Sequence, residues 1–492
     1  MFIQQKGFFI LTIVAVFSLA VTTVTARANP QFAEFPIAVG NDSTFAVAAA
    51  YDGTNYLVGI QGDILAYYNI TAQLVSPTGS LVGSRISVGQ TGGVPWLAFD
   101  GANYLMVWSD WANPPNLDIY GQFISTSGNL VGTSFPIAET AYPEEIFGGI
   151  AFGNSTYLVA WIRNDAIFGQ RVDKSGNLVG GVIQISNNLA RDEIAVAFDG
   201  INYLVVWVEK IDETDISVFG QLISEQGALV GTNFLIDGSS YPSDNPVAVC
   251  FDGSRYLVCF NDEMDTTSQY MDIFGRFVTT DGTVQERVAI CEDTGGQIVP
   301  FIAHDGTNYL ITWNDEINLD TVYCKGRFFN ASGAPLDTVF TIFEPLEGRV
   351  PLGGVMGYDG SQYLVGANRV KIDTTGEFTD GDVYGTFIPS STTGVEEKTD
   401  DRWEITGFRL QQNYPNPFNP TTTINYSVSK TSFVTIKVYN LAGKEVTTLL
   451  NEEKSPGKYR MEFSADNLPS GIYFYRMQSG SFTDTKKFIL LR

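Results

Sequence analysis

From about residue 44 the chain is a succession of short apolar runs broken by Asp-Gly pairs, Ser-Gly pairs and polar segments. The runs repeat. One unit reads VPWLAFDGANYLMVWSD, then a variable loop, then LDIYGQFISTSGNLVGTSFPIAE. Its signature, Asp-Gly-x-x-Tyr-Leu, recurs with the tyrosine at Tyr56, Tyr104, Tyr157, Tyr203, Tyr256, Tyr309 and Tyr363, spaced 48, 53, 46, 53, 53 and 54 residues apart. The third copy carries Gly153 and Asn154 where the others have Asp and Gly; both still suit a turn.

Each unit predicts four short strands. Strand A is the apolar run before Asp-Gly, such as Val247 to Phe251. Asp252-Gly253 signals a tight turn. Strand B is the Tyr-Leu-Val run, such as Tyr256 to Phe260, often ending in tryptophan (Trp108, Trp161, Trp207, Trp313). Strand C follows a polar loop and carries Ile119-Tyr120-Gly121 or Ile273-Phe274-Gly275. A second turn, Ser127-Gly128 or Asp281-Gly282, leads into strand D, as in Leu130 to Ile137. A period near 50 residues with four strands per unit is the mark of a β-propeller.

The ends of the repeat region point to closure. The last unit stops after its C strand, DVYGTFIPSS, and the first is preceded by an unattached strand, Phe35-Pro36-Ile37-Ala38-Val39, that matches the D strands Phe135-Pro136-Ile137-Ala138 and Phe234-Leu235-Ile236. The expectation is a seven-bladed ring whose last blade is completed by the N-terminal strand, which removes an open sheet edge. An open β-solenoid would give the split repeat no role.

Beyond a Ser/Thr-rich, charged linker at 389–407, strands are predicted at Ile424–Val428, Val434–Tyr439, Lys458–Phe463, Gly471–Met477 and Thr485–Leu491, a pattern for a small antiparallel β-sandwich. This tail carries Asn413-Tyr414-Pro415-Asn416-Pro417-Phe418-Asn419-Pro420-Thr421, then Val438-Tyr439-Asn440-Leu441-Ala442-Gly443-Lys444-Glu445-Val446, then Leu468-Pro469-Ser470-Gly471-Ile472-Tyr473, and ends on Lys486-Lys487-Phe488-Ile489-Leu490-Leu491. Over about 85 residues it resembles the type A C-terminal sorting domain of the type IX secretion system. The resemblance implies a Gram-negative, Bacteroidetes-like origin, Sec export to the periplasm, and passage across the outer membrane by the type IX machinery. It also implies a cargo released or attached at the cell surface, and says nothing of what that cargo does. The repeats themselves resemble secreted propellers without an assigned activity, and that likeness carries fold alone. The division expected is a signal peptide at 1–28, a propeller at 29–388, the linker, and a sorting domain at 408–492.

The N-terminus fits this route. Lys6 precedes an uncharged apolar run from Phe8 to Val21, and Ala26-Arg27-Ala28 is a small-x-small site, so cleavage is expected between Ala28 and Asn29. A retained anchor is the competing reading. The formal charge of −25 is unevenly spread: residues 29–407 carry 16 basic and 48 acidic side chains, whereas 408–492 carry 11 and 6. An acidic body is a poor partner for nucleic acid or anionic membranes. A single histidine disfavours a Ser-His-Asp catalyst. That residue, His304, precedes Asp305-Gly306 where other units have Phe or Tyr, and reads as a packing residue. Of the four cysteines, Cys250 and Cys259 flank a short turn and could bridge across it or stay as small buried hydrophobes.

In a four-stranded up-and-down blade the B–C and D–A loops share one side, and both vary between repeats, the B–C loops at 109–118, 208–217, 261–272, 314–321 and 368–382. Function sits preferentially on such loops. Acids recur there: Asp110, Glu209, Asp262 and Asp315 two residues after the tryptophan position, and Asp118, Asp215, Asp272, Asp320 and Asp382 before strand C. They could bind Ca²⁺ or sugar hydroxyls, or simply cap their own loops. Trp111 beside Asp110 could stack on a sugar ring or fold over the loop prolines. The binding candidates are therefore Asp110, Trp111, Asp118, Glu209, Asp262, Asp272, Asp315 and Asp320. No catalytic residue is assigned; a binding module for glycan or protein leads, with a carboxylate hydrolase acting on polysaccharide and a structural adhesion protein as alternatives.

Overall fold

The computed structural model describes residues 32–40, 44–62, 68–113, 116–139, 144–145, 149–186, 190–210, 216–239, 247–262, 271–293, 295–318, 321–346, 348–372, 378–390, 408–410, 421–440, 444–455, 457–465, 468–469, 471–480 and 482–490. The expected signal peptide with Ala28 and Asn29, most of the linker, Asp215, Asp320, Gly443 and the Asn413–Pro420 motif lie outside them. The chain divides into two units, Met1–Glu396 and Glu397–Arg492.

The first unit is built of antiparallel sheets, each a meander of one repeat. Sheet 1 runs Thr44–Tyr51, Tyr56–Gly62, Tyr68–Val75, Leu81–Thr91, and sheet 2 runs Gly93–Phe99, Asn103–Asn113, Asn116–Ser125, Leu130–Ala138. Sheets 4, 5 and 6 follow the same plan, their A strands at Ala190–Phe198, Ala248–Phe251 and Gly296–His304. In sheet 3 two segments, Glu144–Glu145 and Ile150–Phe152, share the A position against Thr156–Arg163. Sheet 7 takes Val350–Tyr358, Gln362–Ile372 and Phe378–Pro389 from the last repeat, and its fourth strand is Phe35–Ala38. The A strand of each sheet contacts the A strand of the next, and the seventh returns to the first.

The repeat signature is spent on making this arrangement. In the Asp-Gly turns the aspartate Oδ1 accepts two backbone N–H groups, as Asp100 does from Ala102 (2.8 Å) and Asn103 (2.7 Å). The glycine after it adopts φ between +90° and +98°, a region L-residues avoid. Each signature tyrosine is fully buried and reaches the neighbouring sheet. Tyr104 donates to Asn55 O (3.1 Å), Tyr157 to Asn103 O (3.3 Å), Tyr256 to Asn202 O (3.1 Å) and Tyr363 to Asn308 O (3.4 Å). Tyr56 closes the series by donating to Gln362 O at 3.2 Å. Each bond contributes on the order of 1 kcal/mol, beyond the burial of the ring. An aromatic from strand A covers each tyrosine, Phe99 on Tyr104 at 4.9 Å and Phe198 on Tyr203 at 4.7 Å between centroids. His304 fills the same position against Tyr309 at 4.7 Å, and burial lowers its pKa. It is the packing residue its place in the repeat implies.

The third repeat explains its own departure. A Cβ at Gly153 would lie 2.3 Å from the Tyr203 hydroxyl, so the aspartate of the other units does not fit. Glu225 from the next sheet does that aspartate's work, accepting from Ser155 N at 2.7 Å and Ser155 Oγ at 3.0 Å.

Strand C needs its glycine to admit strand D. A Cβ at Gly121, Gly220 or Gly326 would meet Ile137, Ile236 or Ile342 at 2.9–3.0 Å. Gly385 stands in the same relation to Ile37, at 2.8 Å. The N-terminal strand therefore packs as a D strand, and Arg369, 3% exposed, grips Glu34 with Nη2 at 2.7 and 2.8 Å.

Of the two readings of Cys250 and Cys259, the structure takes the one without a bridge. In the ladder Cys250 faces Leu257 and Cys259 faces Ala248, so the two are diagonal rather than opposed. Both thiols are free, and burial pushes that of Cys250 up to about 12.

The second unit holds two sheets, one of Arg409–Leu410, Thr421–Val428 and Gly457–Ser464, the other ordered Glu445–Lys454, Ser432–Asn440, Gly471–Ser479, Phe482–Leu490. They share one core in which Ile424, Tyr426 and Phe463 of the first sheet join Val434, Ile436, Val438, Tyr475 and Phe488 of the second. Glu445–Lys454 is a strand the hydrophobic pattern does not predict. Among the described strands it pairs only with Ser432–Asn440, and its residues are exposed or half-buried, so it lacks the core-facing alternation that marks a strand.

Candidate functional site

The candidate acids among the described residues do not hang in loops. Strands B and C extend past the expected boundaries, so Asp110 pairs with Asp118 across the ladder of sheet 2, and Asp262 with Asp272 in sheet 5. Glu209 faces Ser217 and Asp315 faces Tyr323. Ladder positions between packed sheets are buried, and so are the acids: Asp118, Glu209, Asp262 and Asp315 are all under 10% exposed. A buried carboxylate needs partners. Asp315 has the Lys325 ammonium at 2.5 Å and the Gln297 amide at 3.1 Å. Glu209 accepts from Trp207 Nε1 at 3.2 Å, and Asp110 accepts from the Thr91 hydroxyl. Trp111 belongs to the strand Asn103–Asn113; its side chain is outside the described residues.

Sheets 4 and 5 are joined by an ionic cluster that the spacing of the acids does not suggest. Arg287, on strand D of sheet 5, contacts Asp237 at 2.9 Å and Asp262 at 2.5 Å. Arg276 adds a 2.7 Å contact to Asp237, and the Arg287 guanidinium lies 3.7 Å from the Phe274 ring centroid. Beside this cluster Asp272 is pushed up to about 6, by burial first and then by the charges of Glu292 and Asp262, against Arg287. Glu316, absent from the candidates, is pushed up to about 7 by burial alone. The signal in the sequence is one of contrast: Asp237 stands in strand D where Ala138 stands in the second repeat. Among the described residues, no three His, Cys, Asp or Glu side chains gather as a metal site.

The A strands of all seven sheets line an open-ended cavity of about 270 Å³. Its wall is apolar, with Phe45, Trp96, Ile194, Val249, Phe301 and Leu352 from six of the sheets, and none of its lining residues is acidic. A glycosidase built around the ring axis would need a carboxylate pair there.

In the second unit, Tyr473 stacks on Phe488 at 5.2 Å and donates to Pro469 O at 2.9 Å. Gly471 begins that strand, and Lys487 stands opposite Phe474 on the neighbouring one.

Residues 412–491 match the family described as the secretion system C-terminal sorting domain. This segment is a type IX sorting domain, which directs export to the cell surface or extracellular space through the type IX machinery. No curated protein matches the chain. The N-terminal region matches β-propeller structures. One is the β-propeller domain of the Trilobed protease from Pyrococcus furiosus, described as having an open velcro topology (12% identity, 70% of this chain and 97% of that one, TM-score 0.43). Another is a polysaccharide lyase of family PL25, an ulvan lyase (9%, 72% and 94%, 0.49). A third is the WD40 domain of SCAP from fission yeast (10%, 72% and 98%, 0.38).

Proposed function

We propose that the first unit is a seven-bladed β-propeller closed by Phe35–Ala38, that the second is a β-sandwich, and that a Sec signal peptide starts the export completed by the sorting domain. The propeller is a non-catalytic binding module for a glycan or protein, working through the B–C and D–A side. The observation that carries this reading is the state of the acids on that side. Asp262 and Asp315 are neutralised by Arg287 and Lys325, and the cavity on the ring axis is walled by apolar side chains. A rigid ring in which Asp262 and Asp315 are held by these cations leaves recognition to the variable loops.

A hydrolase acting on polysaccharide is the second reading, and one observation favours it. Asp262 and Asp272 face each other in the ladder, and Asp272, pushed up to about 6, has the character of a general acid. Against it, Asp262 is committed to Arg287.

The test incubates the exported chain with a panel of insoluble polysaccharides and measures both protein retained and soluble sugar released. Retention without release, lost on Asp110→Ala or Trp111→Ala, supports binding through this side. Release that is abolished by Asp272→Asn overturns the non-catalytic reading. Neither retention nor release leaves a protein partner or a structural surface role.

A further inference from the structure

Sheets 5 and 6 meet at a seam on the B–C and D–A side. Sheet 5 brings its strand B, Arg255–Asp262, and its strand C, Asp272–Thr279. Sheet 6 brings its strand A, Gly296–His304, and its strand B, Asn308–Asn318. Hydrogen bonds to the backbone of sheet 6 cross the seam. Asn261 accepts from Val299 N at 3.3 Å and donates to Gln297 O. The Gln297 N–H donates to Met271 O at 2.7 Å, so the start of strand C hangs on the neighbouring sheet.

A carboxyl flanks that last bond on each side. Asp272 follows Met271 directly. Glu316 faces Gly296, the residue before Gln297, in the ladder of sheet 6, and a Cβ at Gly296 would lie 3.8 Å from Glu316 Oε2. The cations nearby are committed to other acids. Arg276 holds Asp237 at 2.7 Å, Arg287 spans Asp237 and Asp262, and Lys325 is 2.5 Å from Asp315. Among the described residues neither Asp272 nor Glu316 forms an ion pair. Asp272 stands instead between like charges. Asp262 is opposite it on strand B, and Glu292 follows Cys291, which pairs with Ile273 from strand D. Like charges directly opposite each other destabilise a sheet, and a half-buried carboxylate without a cation is poorly solvated.

We propose that Asp272 and Glu316 make this seam pH-dependent: with both carboxyls protonated the Met271–Gln297 bond is held, and with both ionised the start of strand C parts from sheet 6. The titration range agrees with the geometry. Burial, then Glu292 and Asp262, hold Asp272 up at about 6, against Arg287. Burial holds Glu316 up at about 7, and no charged group adds to it. Both lie above their ordinary values of 3.8 and 4.5, so their contribution to the closed seam is fully present below those values and is lost as pH rises through 6 and 7. The seam borders the side assigned to recognition, and its pH dependence needs neither reading of what that side binds.

Hydrogen exchange of the full chain, followed by mass spectrometry at about pH 5 and about pH 8 with the intrinsic pH dependence divided out, reads the local opening. The strand Gly296–His304, which carries the Gln297 amide, is compared with Gly93–Phe99, its equivalent in sheet 2. The expected result is an opening constant that rises about tenfold between the two conditions in the first strand and less than about twofold in the second. The rise stays below full linkage because both carboxyls keep some contact with water. Asp272→Asn combined with Glu316→Gln should keep the first strand at its acid-side protection in both conditions. Equal opening at the two pH values in the unaltered chain, or the same rise in both strands, overturns the proposal. So does a pH dependence that survives in the double variant. The unaltered chain decides the first two outcomes, so the test stands even if the double variant fails to fold.

Discussion

If Phe35–Ala38 is the outer strand of the seventh sheet, Ile37 should contribute to stability as the equivalent isoleucine of an uninterrupted repeat does. Ile37 is 2% exposed, as is Ile236, and each occupies the space left by a strand-C glycine, at 2.8 and 2.9 Å from the Cβ that Gly385 or Gly220 would carry. Truncating a buried isoleucine to alanine costs about 2–5 kcal/mol. Unfolding entropy for roughly 360 residues is about 0.75 kcal/mol per kelvin, so a loss of about 3 kcal/mol lowers Tm by about 4 °C. Ile37→Ala and Ile236→Ala should therefore produce matching shifts in calorimetry or in urea unfolding. Hydrogen exchange should also quicken along Phe378–Pro389 in the first variant. A Tm drop of about 4 °C for Ile236→Ala beside one below about 1 °C for Ile37→Ala would refute closure by the N-terminal strand.

Other expectations follow from single contacts. Gly153→Asp, which restores the repeat consensus, should lower stability by about 1–3 kcal/mol, because its side chain must displace the Tyr203 hydroxyl; thermal unfolding measures it. Arg287→Met leaves Asp262 buried without its cation and Asp237 with Arg276 alone, costing about 3–5 kcal/mol, and Asp262→Asn added to it should recover part of the loss in denaturant titration. Glu316 has its folded pKa raised from 4.5 to about 7, so its contribution is fully present below pH 4.5 and lost as pH rises through 7. Glu316→Gln should leave stability unchanged near pH 4 and raise it near pH 8 by on the order of 2–3 kcal/mol, read from unfolding at the two pH values.

The sequence is most legible where a residue type has one physical use. Asp-Gly pairs announce turns, and the tyrosine after them announces a buried strand start, since only a tight turn and a fixed inter-sheet bond require both at fixed spacing. The D-like character of Phe35-Pro36-Ile37-Ala38 is readable for the same reason. Strand ends are less legible. Polar residues at 109–118 look like loop, yet Asp110 and Asp118 lie in a ladder, because ladder bonds are made by backbone and do not depend on side-chain polarity. Glu445–Lys454 is hidden by the same independence. The diagonal offset of Cys250 and Cys259 depends on register, which spacing alone does not fix.

The repeat therefore conceals function behind its scaffold. Its aspartates hold turns, its tyrosines staple sheets, and its strand-C glycines admit isoleucines. Each of these recurring features is consumed by joining the sheets, so none of them is informative about a ligand. Information lies where the pattern fails. At Gly153 the failure is structural, because Glu225 restores the missing bonds. At Arg287 it is electrostatic, because the cation is needed to bury Asp237 and Asp262. Both departures are repaired by neighbouring side chains and belong to folding, so a ligand is to be sought on the loops that the repeat does not constrain.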